Sequence, residues 1–218
     1  TSSGPDGSSN KYLRNSGMPG SNFQMRLSAG DMLTVWAGVD YKKLRPELRT
    51  IVNIETDATI GSFSAFTTLK IKTETLNISL MGIYGQNASD LVMIGGYAVT
   101  QVINPLTQVK SYTNINTGSV WLDISTNGSN ITAGLFTGFS RNLGASDDIT
   151  GNIYGRGSNI DHLFRVSPRV IFTSGKLSFG AEIESTTAAY GEIQSGGNVT
   201  NTENVTNLRI LLCSVFRF

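Results

Sequence analysis

The stretch HLFRVSPRVIFT (residues 162–173) decides the fold. In an extended chain successive side chains point to opposite faces. Phe164, Val166, Pro168, Val170 and Phe172 therefore share one face, and Arg165, Ser167, Arg169, Ile171 and Thr173 the other. One face is oily and the other cationic. After the short turn Ser174-Gly175-Lys176, the same period resumes, with Leu177, Phe179, Ala181 and Ile183 against Ser178, Gly180, Glu182, Glu184 and Thr186. Residues 63–72 set Phe63, Ala65, Leu69 and Ile71 against Ser64, Phe66, Lys70 and Lys72. The last segment sets Leu208, Ile210, Leu212, Ser214, Phe216 and Phe218 against Asn207, Arg209, Leu211, Cys213 and Arg217.

Working outward from these segments, the pattern predicts an all-β chain of about nine strands, near 22–30, 31–43, 60–73, 75–87, 114–126, 130–141, 162–173, 176–188 and 205–218. Short turns at 29–31, 72–75, 126–129 and 174–176 alternate with long polar connections at 44–59, 88–113, 142–161 and 189–204. Tight turns at one end and long loops at the other are the plan of a transmembrane antiparallel β-barrel of the bacterial outer membrane. A soluble sandwich would also alternate, with its oily face in a core. The charge and glycine on the non-oily face, the loop alternation and the chain ending favour the barrel. Residues 1–21 read as an extracellular loop segment, and 22–218 as the C-terminal part of one barrel domain.

Composition narrows the function classes. The chain has 218 residues, of which 39% are hydrophobic and 15% charged, with 17 Lys and Arg against 16 Asp and Glu. A formal charge of +1 gives no bulk attraction to nucleic acid. The single cysteine, Cys213, forbids an internal disulfide and a cysteine-rich metal site. LVMIGGYAV (91–99) is about half the length a membrane helix needs. This apolar run inside a long connection needs cover. It predicts a constriction folded into the barrel, a latch on a neighbouring protomer, or an extra short strand at the rim.

The ending Ser214-Val215-Phe216-Arg217-Phe218 resembles the C-terminal assembly signal of outer-membrane barrels, carried by Phe216 and Phe218. Nine strands cannot close antiparallel, and single-chain bacterial barrels have even strand numbers. The expectation is an odd number of further upstream strands, seven for a sixteen-stranded barrel, missing from these residues, cleaved or on another chain.

The stretches VDYKKLRP (39–46), YGQNASDLVMIGGYAV (84–99), GLFTGFSRNLGASDDI (134–149), RGSNIDHLFRVSPRVIFTSGK (156–176), EIESTTAAYG (182–191) and VTNLRILLCSVFRF (205–218) together resemble the C-terminal half of DcaP-like trimeric outer-membrane porins. The resemblance implies a homotrimer of sixteen-stranded barrels in the outer-membrane lipid that admits small anionic solutes, dicarboxylates among them. No cofactor is expected.

The strand faces place Arg26, Lys42, Lys70, Lys72, Arg165, Arg169, Arg209 and Arg217 on the pore wall, against Asp40, Asp123, Glu182 and Glu184. A cationic bias in a narrow aqueous channel concentrates anions. Arg165 and Arg169 form a two-rung ladder whose forks suit carboxylate or phosphate; the alternative is neutralisation by Glu182 and Glu184 across the strands. Trp36 and Trp121 fall on the inward face, and Phe63, Phe164, Phe172, Phe179, Phe216 and Phe218 suggest interfacial girdles.

Catalysis is disfavoured. His162 is the only histidine, and neither Ser158 nor Ser167 lies in a Gly-x-Ser-x-Gly turn. Asp147, Asp148 and Asp161 lack calcium-loop spacing. The expected function is passive diffusion of small, preferentially anionic solutes. The alternatives are an accessory outer-membrane barrel whose loops bind a partner, and a secreted β-sandwich adhesin.

Overall fold

The computed structural model describes residues 2–128 and 130–218. One helical turn, α1 (Lys11–Asn15), precedes eleven strands: β1 (Ser21–Ala29), β2 (Leu33–Leu44), β3 (Ile60–Lys72), β4 (Leu76–Gln86), β5 (Gly95–Asn104), β6 (Val109–Thr126), β7 (Ile131–Ala145), β8 (Ile153–Arg156), β9 (Ile160–Ser174), β10 (Leu177–Ile193) and β11 (Val199–Phe216). All belong to one antiparallel sheet. Nine form a meander in the order β1-β2-β3-β4-β6-β7-β9-β10-β11, while β5 pairs with β6 and β8 pairs with β5. Among the described residues, β1 and β11 each pair on one side only, and no helix is long and apolar enough to cross a membrane.

Strand ends differ from the sequence expectation mainly at the loop end. β10 and β11 run on to Ile193 and from Val199, so the last long connection shrinks to residues 194–198. The cause is a Thr- and Val-rich stretch (199–206) that suits a pleated surface and keeps pairing beyond the apolar segment. β4 (Leu76–Gln86) ends one residue short of the expected 87. Ser129, placed in the third turn, lies outside the described residues.

Register makes the two faces continuous. One rung runs Leu27, Val35, Leu69, Leu80, Leu122, Thr137, Val166, Ser185, Leu208 across all nine strands. The rung one residue away runs Arg26, Trp36, Thr68, Met81, Trp121, Gly138, Arg165, Thr186, Asn207. Directly opposed residues share a face, and a slip of one residue would exchange the faces. The first rung and its even-spaced neighbours make an apolar face; the second belongs to a mixed, largely polar one.

No second layer covers the apolar face among the described residues. Ile210 and Leu212 are 67% and 79% exposed, and Leu80, near the middle of the sheet, is 40% exposed. Aromatics on this face fall at two levels. Tyr41 opposes Phe63 and Phe139 opposes Phe164 near the loop end; Phe172 opposes Phe179 near the turn end, one rung from Phe216.

The buried apolar residues gather at the loop end. Tyr12 of α1 and Tyr97 of β5 pack with Leu44 and Ile60, which lie on the polar-face side of β2 and β3, and with Tyr112 and Tyr154 around them. Tyr12 is tied by hydrogen bonds of its own: its hydroxyl donates to the Gly7 carbonyl at 3.1 Å and accepts from Asp6 N–H at 2.9 Å.

Candidate functional site

The polar face is where functional side chains converge, and the segment from Asn87 to Ile94 lies across it. Asn87 Nδ2 donates to Ser62 Oγ at 3.5 Å, and Lys42 Nζ donates to the Asn87 carbonyl at 2.6 Å and pairs with Asp90. At the far end, Thr117 Oγ1 donates to the Ile94 carbonyl at 2.8 Å, and Ile94 packs against Ile160, Leu163 and Ala188. The segment thus bridges from β2 and β3 to β9 and β10. It does so from a closed turn: Ala88–Leu91 is 3-10, Met93 N–H donates to the Ala88 carbonyl at 3.3 Å, and Asn87 N–H and the Ile94 carbonyl are both bonded to β6, at Ile115 and Thr117, so the reach to the outer strands is made by side chains. Asn87 and Val92, on either side of that turn, are left-handed at φ 49° and 64°. For β-branched Val92 this conformation costs about 1–2 kcal/mol.

Of the forms its sequence allowed, the apolar run takes that of an extra strand. Gly95–Asn104 is the extra strand β5 at the rim, and Leu91 and Met93 lie over the polar face. The pairing of β5 with β8 depends on glycine: a Cβ at Gly96 would sit 2.2 Å from the Tyr154 carbonyl oxygen.

Ion pairing on this face differs from the expected ladder. Arg169 does not pair with Glu182. Its Nη1 and Nη2 donate to Asp123 Oδ2 and Oδ1 at 2.7 and 2.8 Å, two strands away. The guanidinium reaches across β7 because Gly134 is there; a Cβ at that position would meet Arg169 Cζ at 2.9 Å. Arg165 bonds Thr186 Oγ1 at 3.0 Å and lies 3.3 Å from Glu184, which Arg209 approaches to 4.0 Å. Lys42, expected on the open wall, is buried under the Asn87–Ile94 segment, because the acceptors that hold it belong to that segment.

Arg26, Lys70, Lys72 and Arg217 have no acid within 4 Å among the described residues. Arg26 and Lys70 line one small recess with Thr34, Trp36 and Thr68. Glu182 opposes Arg169 in register without an ion pair. The uncompensated cations thus concentrate at the β1–β3 side and the turn end, rather than at the Arg165–Arg169 rungs.

Both tryptophans lie on this face, as the alternation predicts. Trp36 meets Phe66 edge-on at 6.3 Å, and Trp121 packs on Phe136 at 5.9 Å. Gly38 makes room for Phe66, whose Cε1 would stand 2.6 Å from a Cβ there.

His162 belongs to the opposite face, where its ring lies 5.6 Å from Phe139 and its Nδ1 is 2.7 Å from Asp161 Oδ2. Ser167 alternates to the polar face, away from it. Among the described residues, no three His, Cys, Asp or Glu side chains cluster to hold a metal. No protein-family model, curated protein or solved structure matches the chain.

Sequence reasoning missed the Tyr12–Tyr97 cluster, the Asp90–Lys42 tether and the Asp123–Arg169 pair. For β5 the apolar run LVMIGGYAV had offered an extra strand, and Gly95-Gly96 with Gly155 were the local signal for its pairing with β8; nothing local signalled the rest.

Proposed function

We propose that this chain forms part of the wall of an outer-membrane porin that passes small, preferentially anionic solutes by diffusion. The observation that carries the reading is the apolar face: continuous over nine strands and uncovered on every one. Soluble monomers rarely leave apolar patches beyond a few hundred Å² in water. From Phe164 to Phe172 the aromatic levels on β9 are about 27 Å apart along the strand, or about 21 Å along the axis at a strand tilt of about 40°, the order of a barrel's apolar band of roughly 25 Å. The other face carries what a channel needs: water-facing charge and a segment folded over it.

Meandering strands leave β1 and β11 parallel, so antiparallel closure takes an odd number of further strands. Seven would complete the sixteen of the DcaP-like trimeric porins that the sequence resembles, in which Phe216 and Phe218 serve as the assembly signal. The unpaired Arg26, Lys70, Lys72 and Arg217 supply the anion preference. Planar-bilayer recording in a salt gradient tests this: ohmic steps with an anion-leaning reversal potential support it, and membrane-inserted protein without conductance defeats it.

A second reading, an accessory barrel whose loops dock a partner, draws on the packed loop end. There Tyr12, Leu44, Ile60 and Tyr97 close over, and a groove of about 450 Å³ runs between Pro5–Asn15 and Pro46–Ile51. Insertion without conductance would favour it.

A further inference from the structure

Beneath Leu91 and Met93 the polar face carries an apolar floor of Phe66, Met81, Ile83 and Trp121. These side chains alternate with polar ones on the same strands, so they stand where the pattern elsewhere puts Ser, Thr or charge. The overlying segment does not seal them. A cavity of about 430 Å³ remains, and Leu91 itself is 46% exposed. A core would have closed on itself, since interiors pack to near-crystal density. An apolar cavity with a few convergent polar groups is the form of a small-molecule site.

The polar groups gather on the β1–β3 side, apart from Ser119 on β6, whose hydroxyl is already paired with Ser140 Oγ at 2.7 Å. Asp40 is the only charged residue lining the cavity, with Asn22, Gln24 and Ser64 beside it. The one hydrogen bond Asp40 receives is from Asn22 Nδ2 at 3.5 Å, and no cation lies within 4 Å of it among the described residues. Lys42, two residues along the same face, is already held by Asp90 and the Asn87 carbonyl. The carboxylate keeps free acceptor capacity, while an anion entering here would meet it without a counter-charge.

We propose that this cavity binds amphipathic organic ammonium ions, the apolar body lying on Phe66, Met81, Ile83 and Trp121 under Leu91 and Met93, and the ammonium on Asp40. The aromatic floor adds cation–π attraction. The proposal goes beyond solute passage and stands whether or not the chain conducts.

The test uses three probes of one shape on the purified protein: benzylammonium, benzyl alcohol and benzoate. Binding is followed by equilibrium dialysis and by tryptophan emission, with Trp121→Phe identifying the reporting ring. Benzylammonium should bind tightest and benzoate weakest. Asp40→Asn should weaken benzylammonium by about tenfold, the scale of a hydrogen bond to a charged group, and leave benzyl alcohol unchanged, which also shows that the variant folds. Equal or tighter binding of benzoate, an Asp40→Asn variant that retains full benzylammonium affinity, or no binding of any probe would overturn the proposal.

Discussion

The two sides of the polar face share an architecture and handle charge in opposite ways. From β6 to β11, Arg169 is locked to Asp123 and Arg165 to Glu184. From β1 to β3, Arg26, Lys70 and Lys72 have no acid within 4 Å among the described residues, and only Lys42, held under the Asn87–Ile94 segment, is paired, with Asp90. Alternation alone would call both sides cationic. What separates them is the next-but-one strand: an arginine can cross a glycine to find an acid at Gly134, and nothing comparable serves Arg26 on an edge strand. A charge count per face therefore overstates a field unless the pairs are first removed.

The largest expected effect concerns what the two sides have in common, the apolar face behind them. Leu80→Arg should cost about 2–4 kcal/mol in lipid, whereas Ser79→Arg, one residue away on the polar face, should be tolerated. Urea unfolding of the liposome-inserted protein reads both, and equal costs would break the two-faced wall.

Next comes the Arg169–Asp123 pair. Arg169→Leu strands a half-buried carboxylate and should cost about 1–2 kcal/mol, allowing for its partial exposure. Gly134→Val should cost a similar amount by pushing the guanidinium aside. If Gly134→Val is neutral, the arginine has another place to go.

Selectivity should divide the two sides more finely. Arg26→Gln with Lys70→Gln should lower the anion-to-cation permeability ratio by roughly two- to fivefold, on the scale of a local potential screened over about 8 Å. Arg169→Gln with Asp123→Asn removes a compensated pair and should leave the ratio where it was. Replacing Arg165 and Arg169 together should still lower it, because Asp123 and Glu184 are then exposed. Reversal potentials in a salt gradient distinguish all three.

The smallest effect is at the bridging segment. Val92→Gly should stabilise by about 0.5–1 kcal/mol, relief of the left-handed strain outweighing the freer unfolded chain.

Period-two patterning made nine strands, their turns and both faces legible, because burial or exposure of a strand's whole face is written into every second residue of HLFRVSPRVIFT and its fellows. The placement of Trp36 and Trp121 on the polar face was legible for the same reason. Long-range arrangements were not. LVMIGGYAV is as consistent with a constriction or a latch as with an extra strand, and its Gly95–Val99 part pairs as β5. The Tyr12–Tyr97 contact joins residues far apart in the chain, and Arg169 selects Asp123 over the adjacent Glu182 through a gap that only the assembled sheet reveals. Local pattern gives faces; the site depends on which strands become neighbours.

The central claim is that the uncovered apolar face meets hydrocarbon while the other meets water, and the lone cysteine offers the most direct check. Cys213 is exposed on the polar face, opposite Gly180 and next to Leu212 of the apolar face. In liposomes, Cys213 should react with a polar maleimide, whereas the thiol of Leu212→Cys in a Cys213→Ser background should be shielded from it and reachable by a lipid-chain quencher of an attached fluorophore. Equal labelling of both positions by the polar reagent, with no lipid quenching at either, would contradict the account.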